Sequence, residues 1–270
     1  MNMYSFGCSL IFGDELEDTY PSFSQLTWPA LWAKSHKFKY SCFAENGISN
    51  WAIGRHIIKE ISLKKPDAVI VQWTYPSRLE IRKKDNKFKQ FSSWSNVEDA
   101  KELVKLSRVS RLRVWPKNRS LEEFEENERK IEEEMLSKAN TFESMFAKLW
   151  YNEVSSYSSD LYYSLIWINL AAFWLNHLKI PHVFTSADNE INNTLKTDDA
   201  LIVALGKSAQ SLSPWLGWKN REGNGFVPWA KENNHTFGVS HPLSYSHKTA
   251  YEMIKDDLNK ILLKDIHEQG

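Results

Sequence analysis

Hydrophobic positions along the first third of the chain come in short blocks whose spacing alternates between that of strands and that of helices. A short apolar run, Tyr4 to Phe6, ends at Gly7-Cys8-Ser9 and reads as a first strand. Ser24 to Lys34 carries a helix signal, with Pro29 suited to a first turn and Thr27 or Ser24 as its cap. Lys39 to Phe43 reads as a second strand and Ala44-Glu45-Asn46-Gly47 as a turn. From Ser49 onward Trp51, Ile53, Ile57, Ile58 and Ile61 fall on helical spacing. Pro66-Asp67 breaks that pattern, and Ala68 to Trp73 follows as a continuous apolar run, the signature of a strand buried on both faces. Strand and helix in this rhythm predict an α/β fold around a parallel sheet.

The middle of the chain changes character. Arg82 to Lys89 and Arg108 to Arg119 are basic, and Glu122 to Glu134 is strongly acidic. Opposite charge blocks so close together predict a solvated helical insertion, over about 83–150, held by internal ion pairs. A basic patch for a polyanion is the alternative. Tyr157 to Leu178 resumes a helical pattern. Within it Leu161 to Leu178 is apolar enough to suggest a membrane span, but Ser164, Asn169, Asn176 and His177 favour a buried helix of a soluble protein. Pro181 to Thr185 reads as another strand, and Asn189 to Gly225 gives mixed signals. Phe226 to Lys231 is expected as a short helix, His235 to Ser246 as a loop, and His247 to Leu263 as a final amphipathic helix. With no repeat and no linker, residues 1–270 read as one domain carrying an insertion.

Composition narrows the function classes. Lys plus Arg and Asp plus Glu both number 34, so the formal net charge is zero and the basic excess of a nucleic-acid binder is missing. Hydrophobic residues at 42% and charged residues at 25% are those of a globular chain. The two cysteines, Cys8 and Cys42, make neither a disulfide framework nor a metal motif. The start of the sequence lacks a basic segment followed by an apolar one, so synthesis in a reducing cytosol without a secretory signal is expected. The 12 tryptophans suit either core packing or a carbohydrate-facing surface.

Chemistry concentrates at Gly7-Cys8-Ser9-Leu10-Ile11-Phe12-Gly13-Asp14. A serine just past a first parallel strand sits at the carboxyl edge of the sheet, where α/β folds place reactive groups, and backbone amides of the following turn can hold an oxyanion. This stretch resembles the first block of the SGNH or GDSL hydrolase family, with Cys8 in the place of the Asp of G-D-S; a G-C-S version is familiar among SGNH-like proteins, including many encoded by bacteriophages. Ala44 to Asn50, followed by Arg55, resembles the second block, and the Trp28-Pro29-Ala30-Leu31 helix is also similar to family members. His241-Pro242, with His247 opening the last helix, resembles the final block. The resemblance covers roughly residues 4–80 and 225–265.

The resemblance implies a three-layer α/β/α sandwich of flavodoxin-like type with a parallel sheet and a helical insertion. It also implies a serine hydrolase acting on an ester, such as an acetylated carbohydrate, with no cofactor. Ser9 would be the nucleophile and His241 the base, with Ser9, Gly47 and Thr74 around the oxyanion. Two positions depart from the family pattern. Thr74 stands where the third block has Asn, and Gly238 stands three residues before His241, where the family has an orienting Asp. Asp188 and Glu232 are the substitute acids the sequence offers. These departures leave a second reading open, an SGNH-like protein without activity that binds a protein partner through the insertion, for instance in a virion.

Plainer roles stand beside these. Ser9 and His241 can be ordinary turn and loop residues, and Gly47 can simply supply a positive φ. Asn50 is expected to cap the helix beginning at Trp51, and His247 to be a helix-start or surface residue. Metal binding by His235, His241 and His247 and nucleophilic attack by Cys8 are the remaining alternatives; spacings of six do not bring the three histidines to one helical face.

Overall fold

The computed structural model describes residues 1–19, 22–83, 87–91, 120–138, 142–218 and 225–264. Four parallel strands form the central sheet: β1 (Asn2–Phe6), β2 (Lys39–Cys42), β3 (Ala68–Trp73) and β6 (His182–Ser186), in the order β2-β1-β3-β6. Register is set by Met3 opposite both Tyr40 and Ala68, and by Val71 opposite Phe184. Strand order reverses beside β1, which makes the carboxyl ends of β1 and β3 the switch point where open α/β sheets leave a crevice.

β1, β3 and β6 are buried on both faces because each face meets a helical layer, whereas β2 lies at the edge of the sheet. Met3, Ala68, Ile70 and Val183 join one core with α2 (Trp28–Ser35), α8 (Phe226–Glu232) and α9 (Ser244–Leu262). Tyr4, Phe6, Val69, Val71, Trp73 and Phe184 join the other with α3 (Asn50–Leu63), α6 (Tyr157–His177) and α7 (Ala200–Leu212). Period-two alternation sends neighbouring side chains to opposite layers, so β3 is buried at all six positions. The fold is the expected three-layer α/β arrangement.

Local chemistry explains the boundaries. Pro29 lies in the first turn of α2, where its missing N–H costs nothing. Ser49, rather than Asn50, caps α3 by accepting from the Ala52 amide at 3.2 Å, and Ser156 with Ser159 closes a reciprocal cap on α6. The mixed stretch after Asn189 holds α7, started by the Asp199 carboxylate on the amides of Leu201 and Ile202. Two polar residues of α6 serve that contact: the amides of Asn169 and Asn176 donate to the carbonyls of Leu205 and Leu212, between two packed helices. Among the described residues no helix is long and apolar enough to cross a membrane.

The expected insertion is not helical throughout. An antiparallel hairpin of β4 (Leu79–Arg82) and β5 (Phe88–Phe91) straddles its start near residue 83, and the acidic α4 (Leu121–Lys138) and α5 (Phe142–Leu149) follow. Leu79, Phe91 and Ala147 form a third small core with Trp51, Phe146 and Trp150. A bidentate pair from Arg55 to Glu80, at 3.0 and 2.7 Å, ties the hairpin to α3. The basic stretch Arg108 to Arg119 lies outside the described residues.

Candidate active site

The chain leaves β1 through Gly7 and Cys8 and enters a single helical turn, α1 (Ser9–Phe12). Gly13, at φ 81°, ends it in the left-handed region, and its amide closes on the Ser9 carbonyl at 2.8 Å. The turn fixes Ser9 at the carboxyl edge of the sheet, 4% exposed. Cys8 faces the other way, into the apolar core.

His241 arrives from the far end of the chain. It sits in a loop before α9 that is held by Gly238 N–H on the His241 carbonyl (2.9 Å) and Leu243 N–H on Thr236 (3.0 Å). His241 Nε2 lies 2.7 Å from Ser9 Oγ, and His241 Nδ1 lies 2.9 Å from Glu15 Oε1. Glu15 is held in turn. Its oxygens accept from the Ser240 amide at 3.1 Å, the Ser240 hydroxyl at 2.9 Å and the His241 amide at 3.4 Å. Burial acts to raise the Glu15 carboxyl. Hydrogen bonds from His241 and from the Ser240 amide, with the His241 charge, outweigh it and bring the pKa down to about 2. A carboxylate on Nδ1 keeps the proton on that nitrogen and leaves Nε2 free to accept one from Ser9. Serine, imidazole and carboxylate thus stand in one hydrogen-bonded line.

The sequence offered Asp188 or Glu232 as the orienting acid, and the structure places Glu15 there instead. Glu15 lies only six residues after Ser9. Its backbone adopts φ 69°, a left-handed conformation that costs a non-glycine residue about 1–3 kcal/mol and recurs at functional sites. Gly238 explains how it fits. A Cβ at Gly238 would overlap Glu15 Oε2, so the glycine leaves room for a carboxylate arriving from another loop. The signals that could have found it are the acid itself, two residues past a turn glycine, and the lone glycine before Ser240-His241.

The other candidates are placed as follows. Gly47 has φ 75° in the turn after β2. Thr74 is fully buried just after β3, its hydroxyl accepting from Arg78 Nη1 at 2.8 Å and keeping its own proton to donate. Asn50, expected as a cap, instead bridges α3 to this loop. It accepts from the Thr74 amide (2.7 Å) and donates to the Thr74 carbonyl (3.0 Å) and Ser164 Oγ (3.1 Å). His247, expected at a helix start or on the surface, is buried inside α9 against Phe226. Its Nδ1 faces the Trp28 amide at 3.4 Å, and burial drives its pKa down to about 3. His235 packs edge-on against Trp229, 4.7 Å between rings. Among the described residues no group of three His, Cys, Asp or Glu is placed to hold a metal ion. Of the tryptophans nearest these loops, Trp73 is fully buried against Phe184 and Trp51 packs on Tyr163.

No model of a known protein family matches the chain, and no curated protein sequence matches it. Solved structures resemble it at low identity. An acetyl xylan esterase from the rumen bacterium Butyrivibrio proteoclasticus aligns at 10% identity and a TM-score of 0.46, covering 96% of this chain and 63% of that one. A carbohydrate esterase family 2 enzyme from Corynascus thermopiles aligns at 10% identity and a TM-score of 0.46, over 97% of this chain and 66% of that one. This chain therefore spans less than two thirds of the length of these two. A psychrotrophic esterase from Pseudoalteromonas sp. aligns at 8% identity and a TM-score of 0.44, over 96% and 97% of the two chains.

Proposed function

We propose that this chain is a serine hydrolase of SGNH type that cleaves acyl esters through a Ser9 acyl-enzyme. The observation that carries the reading is the continuous line Ser9 Oγ, His241 Nε2, His241 Nδ1, Glu15 Oε1, with links of 2.7 and 2.9 Å. A serine hydroxyl is a poor nucleophile near neutral pH and needs a base within hydrogen-bond reach, with that base oriented by a third group.

Ser9 Oγ attacks the acyl carbon while His241 Nε2 takes its proton. The carbonyl π electrons move onto oxygen, and collapse of the tetrahedral species expels the alkoxide, which leaves with the proton from His241. Water then attacks the acyl-Ser9 ester, again giving its proton to His241, and the carboxylic acid departs as Ser9 recovers its hydrogen. Glu15 stays ionised throughout and stabilises the imidazolium. The oxyanion would meet the amides of Ser9 and Gly47 and the hydroxyl of Thr74, where the bond received from Arg78 makes the Thr74 proton a better donor. Acetyl esters of sugars are the first substrates to screen.

Treatment of the purified protein with a fluorophosphonate probe tests the reading. Labelling is expected for the parent and is lost in Ser9→Ala and in His241→Ala, both remaining folded. Folded parent protein that takes no label would overturn it and leave a binding role without catalysis.

A further inference from the structure

Beside the triad, at the carboxyl ends of β3 and β6, three carboxylates and two tyrosines gather without a role in the steps above. Asp188 follows β6 by two residues, and the Ala187 amide bonds to the Trp73 carbonyl at 2.7 Å, which brings this loop against the one carrying Thr74 and Tyr75. Asp188 is 7% exposed. Its Oδ1 accepts from the Glu190 amide at 2.9 Å, whereas Oδ2 is buried and has no hydrogen-bond partner. The loop is not free to turn that oxygen out to water. Ser186 Oγ donates to the Asp188 carbonyl at 2.8 Å, Gly225 N–H donates to Asn189 Oδ1 at 2.7 Å, and the Gly225 backbone lies so close to Asp188 that a Cβ would overlap it.

A buried carboxylate oxygen without a donor costs free energy unless something supplies one. The surroundings add negative charge. Burial raises all three carboxyls above their ordinary range; the Glu190 charge adds to it at Asp188, which stands at about 7, and the Asp160 charge adds to it at Glu190. The hydroxyls of Tyr75 and Tyr157 lie within reach of the Asp188 and Glu190 charges, and Tyr157 is half exposed at the rim. Arg78 contributes one positive charge, but its guanidinium is bonded to Thr74 Oγ1 at 2.8 Å and rests 5.1 Å above the Tyr75 ring. Three carboxylates against one engaged guanidinium, walled by tyrosine rings, is the chemistry that accepts an organic ammonium group.

We propose that this crevice is a specificity subsite for a primary ammonium group carried by the ester substrate, with Asp188 Oδ2 as the buried anchor and Glu190 beside it. The assignment rests on the serine hydrolase reading and narrows its substrate to esters bearing a cation. β6 lies two positions from β1 in the sheet, which puts the subsite about 10 Å from Ser9 across the strands. A caproyl-length chain is long enough to bridge the two.

The test compares isosteric ester pairs. On the acyl side these are p-nitrophenyl ε-aminocaproate and p-nitrophenyl heptanoate; on the alcohol side, ω-aminohexyl acetate and heptyl acetate. For at least one pair the parent is expected to favour the ammonium ester by about tenfold in kcat/KM, the scale of one partly buried charge pair. Asp188→Asn should reduce that preference to below about threefold, and Glu190→Gln should weaken it in the same direction. A binding arm is independent of catalysis: n-hexylammonium chloride is titrated into the parent and into Asp188→Asn by calorimetry, with n-hexanol as the neutral control. Tighter binding of the ammonium to the parent, lost in Asp188→Asn, supports the subsite even if no ester is cleaved. The subsite is overturned if neither pair nor the titration shows an ammonium preference, or if Asp188→Asn keeps it. Loss of fluorophosphonate labelling would overturn the hydrolase reading alone.

Discussion

Replacing Glu15 by Gln keeps the size of the side chain and removes the charge that faces His241. The carboxylate accepts on both oxygens, Oε1 from His241 Nδ1 and the Ser240 hydroxyl, Oε2 from the amides of Ser240 and His241. Whichever way a glutamine amide turns, its NH2 confronts donors on one side. The fall of the Glu15 pKa from 4.5 to about 2 corresponds to about 3 kcal/mol of preference for the charged form. With one fifth of the side chain in water, screening reduces this to roughly 2 kcal/mol. That figure is a ground-state preference for the carboxylate; for the rate, loss of the correct tautomer reaches about 10⁴ in the chymotrypsin case. We therefore expect Glu15→Gln to lower kcat/KM for p-nitrophenyl acetate by at least about tenfold and up to about ten-thousandfold, and to slow fluorophosphonate labelling in parallel. Glu232→Gln, in an exposed carboxylate at the end of α8, should change either rate by less than about threefold. Linkage gives a second readout. The folded state holds Glu15 ionised to about pH 2 while the unfolded chain protonates it near 4.5, so its contribution is complete above 4.5 and drains away between 4.5 and 2. The variant lacks that part of the acid sensitivity. A Glu15→Gln protein with native circular dichroism and activity within threefold of the parent would refute the assignment of Glu15 as orienting acid.

Gly238→Ala places a methyl group against Glu15 Oε2. The carboxylate must swing off His241, so a drop in kcat of at least about tenfold is expected with little loss of thermal stability, and Gly238→Asp combined with Glu15→Ala should recover part of it by supplying the acid from the neighbouring loop. Parent-like kinetics in Gly238→Ala would show that the glycine has no such role. His247 offers a stability test. Its folded pKa of about 3 lies below the 6.5 of the unfolded chain, so its contribution is complete above pH 6.5 and is lost progressively towards 3, up to about 5 kcal/mol. His247→Gln keeps a neutral acceptor for the Trp28 amide. Urea midpoints measured from pH 7 to 4 should fall less steeply in this variant than in the parent, and parallel curves would contradict the buried neutral histidine.

Much of this molecule was written in local pattern. The apolar runs at Tyr4–Phe6 and Ala68–Trp73, the isoleucine spacing after Ser49 and the Pro66-Asp67 break are period and turn signals that act within a few residues, and they marked the strands and helices where they stand. Where two periods competed, the reading failed. Ala200–Leu212 is apolar on more than one face and interrupted by Gly206, so only its packing against α6 marks it as a helix. The hairpin at Leu79–Phe91 was hidden by its basic residues, because pairing across a sheet is decided by a partner strand and not by composition.

The chain by itself determined which groups were available, a serine past the first strand and a histidine before the last helix, because their local settings are turn and loop signals. Which carboxylate completes the line was a tertiary decision. Glu15 reaches His241 across 226 positions only because Gly13 turns the chain after α1, because its own backbone takes a left-handed conformation, and because Gly238 leaves room for its oxygen. Asp188 shows the same division: its sequence neighbours gave no sign of a buried, unpaired oxygen, which exists because β6 delivers it into the crevice and Gly225 packs behind it. Hydrogen-bond partners and burial are properties of the folded surface around a residue, and the sequence names the residue without that surface.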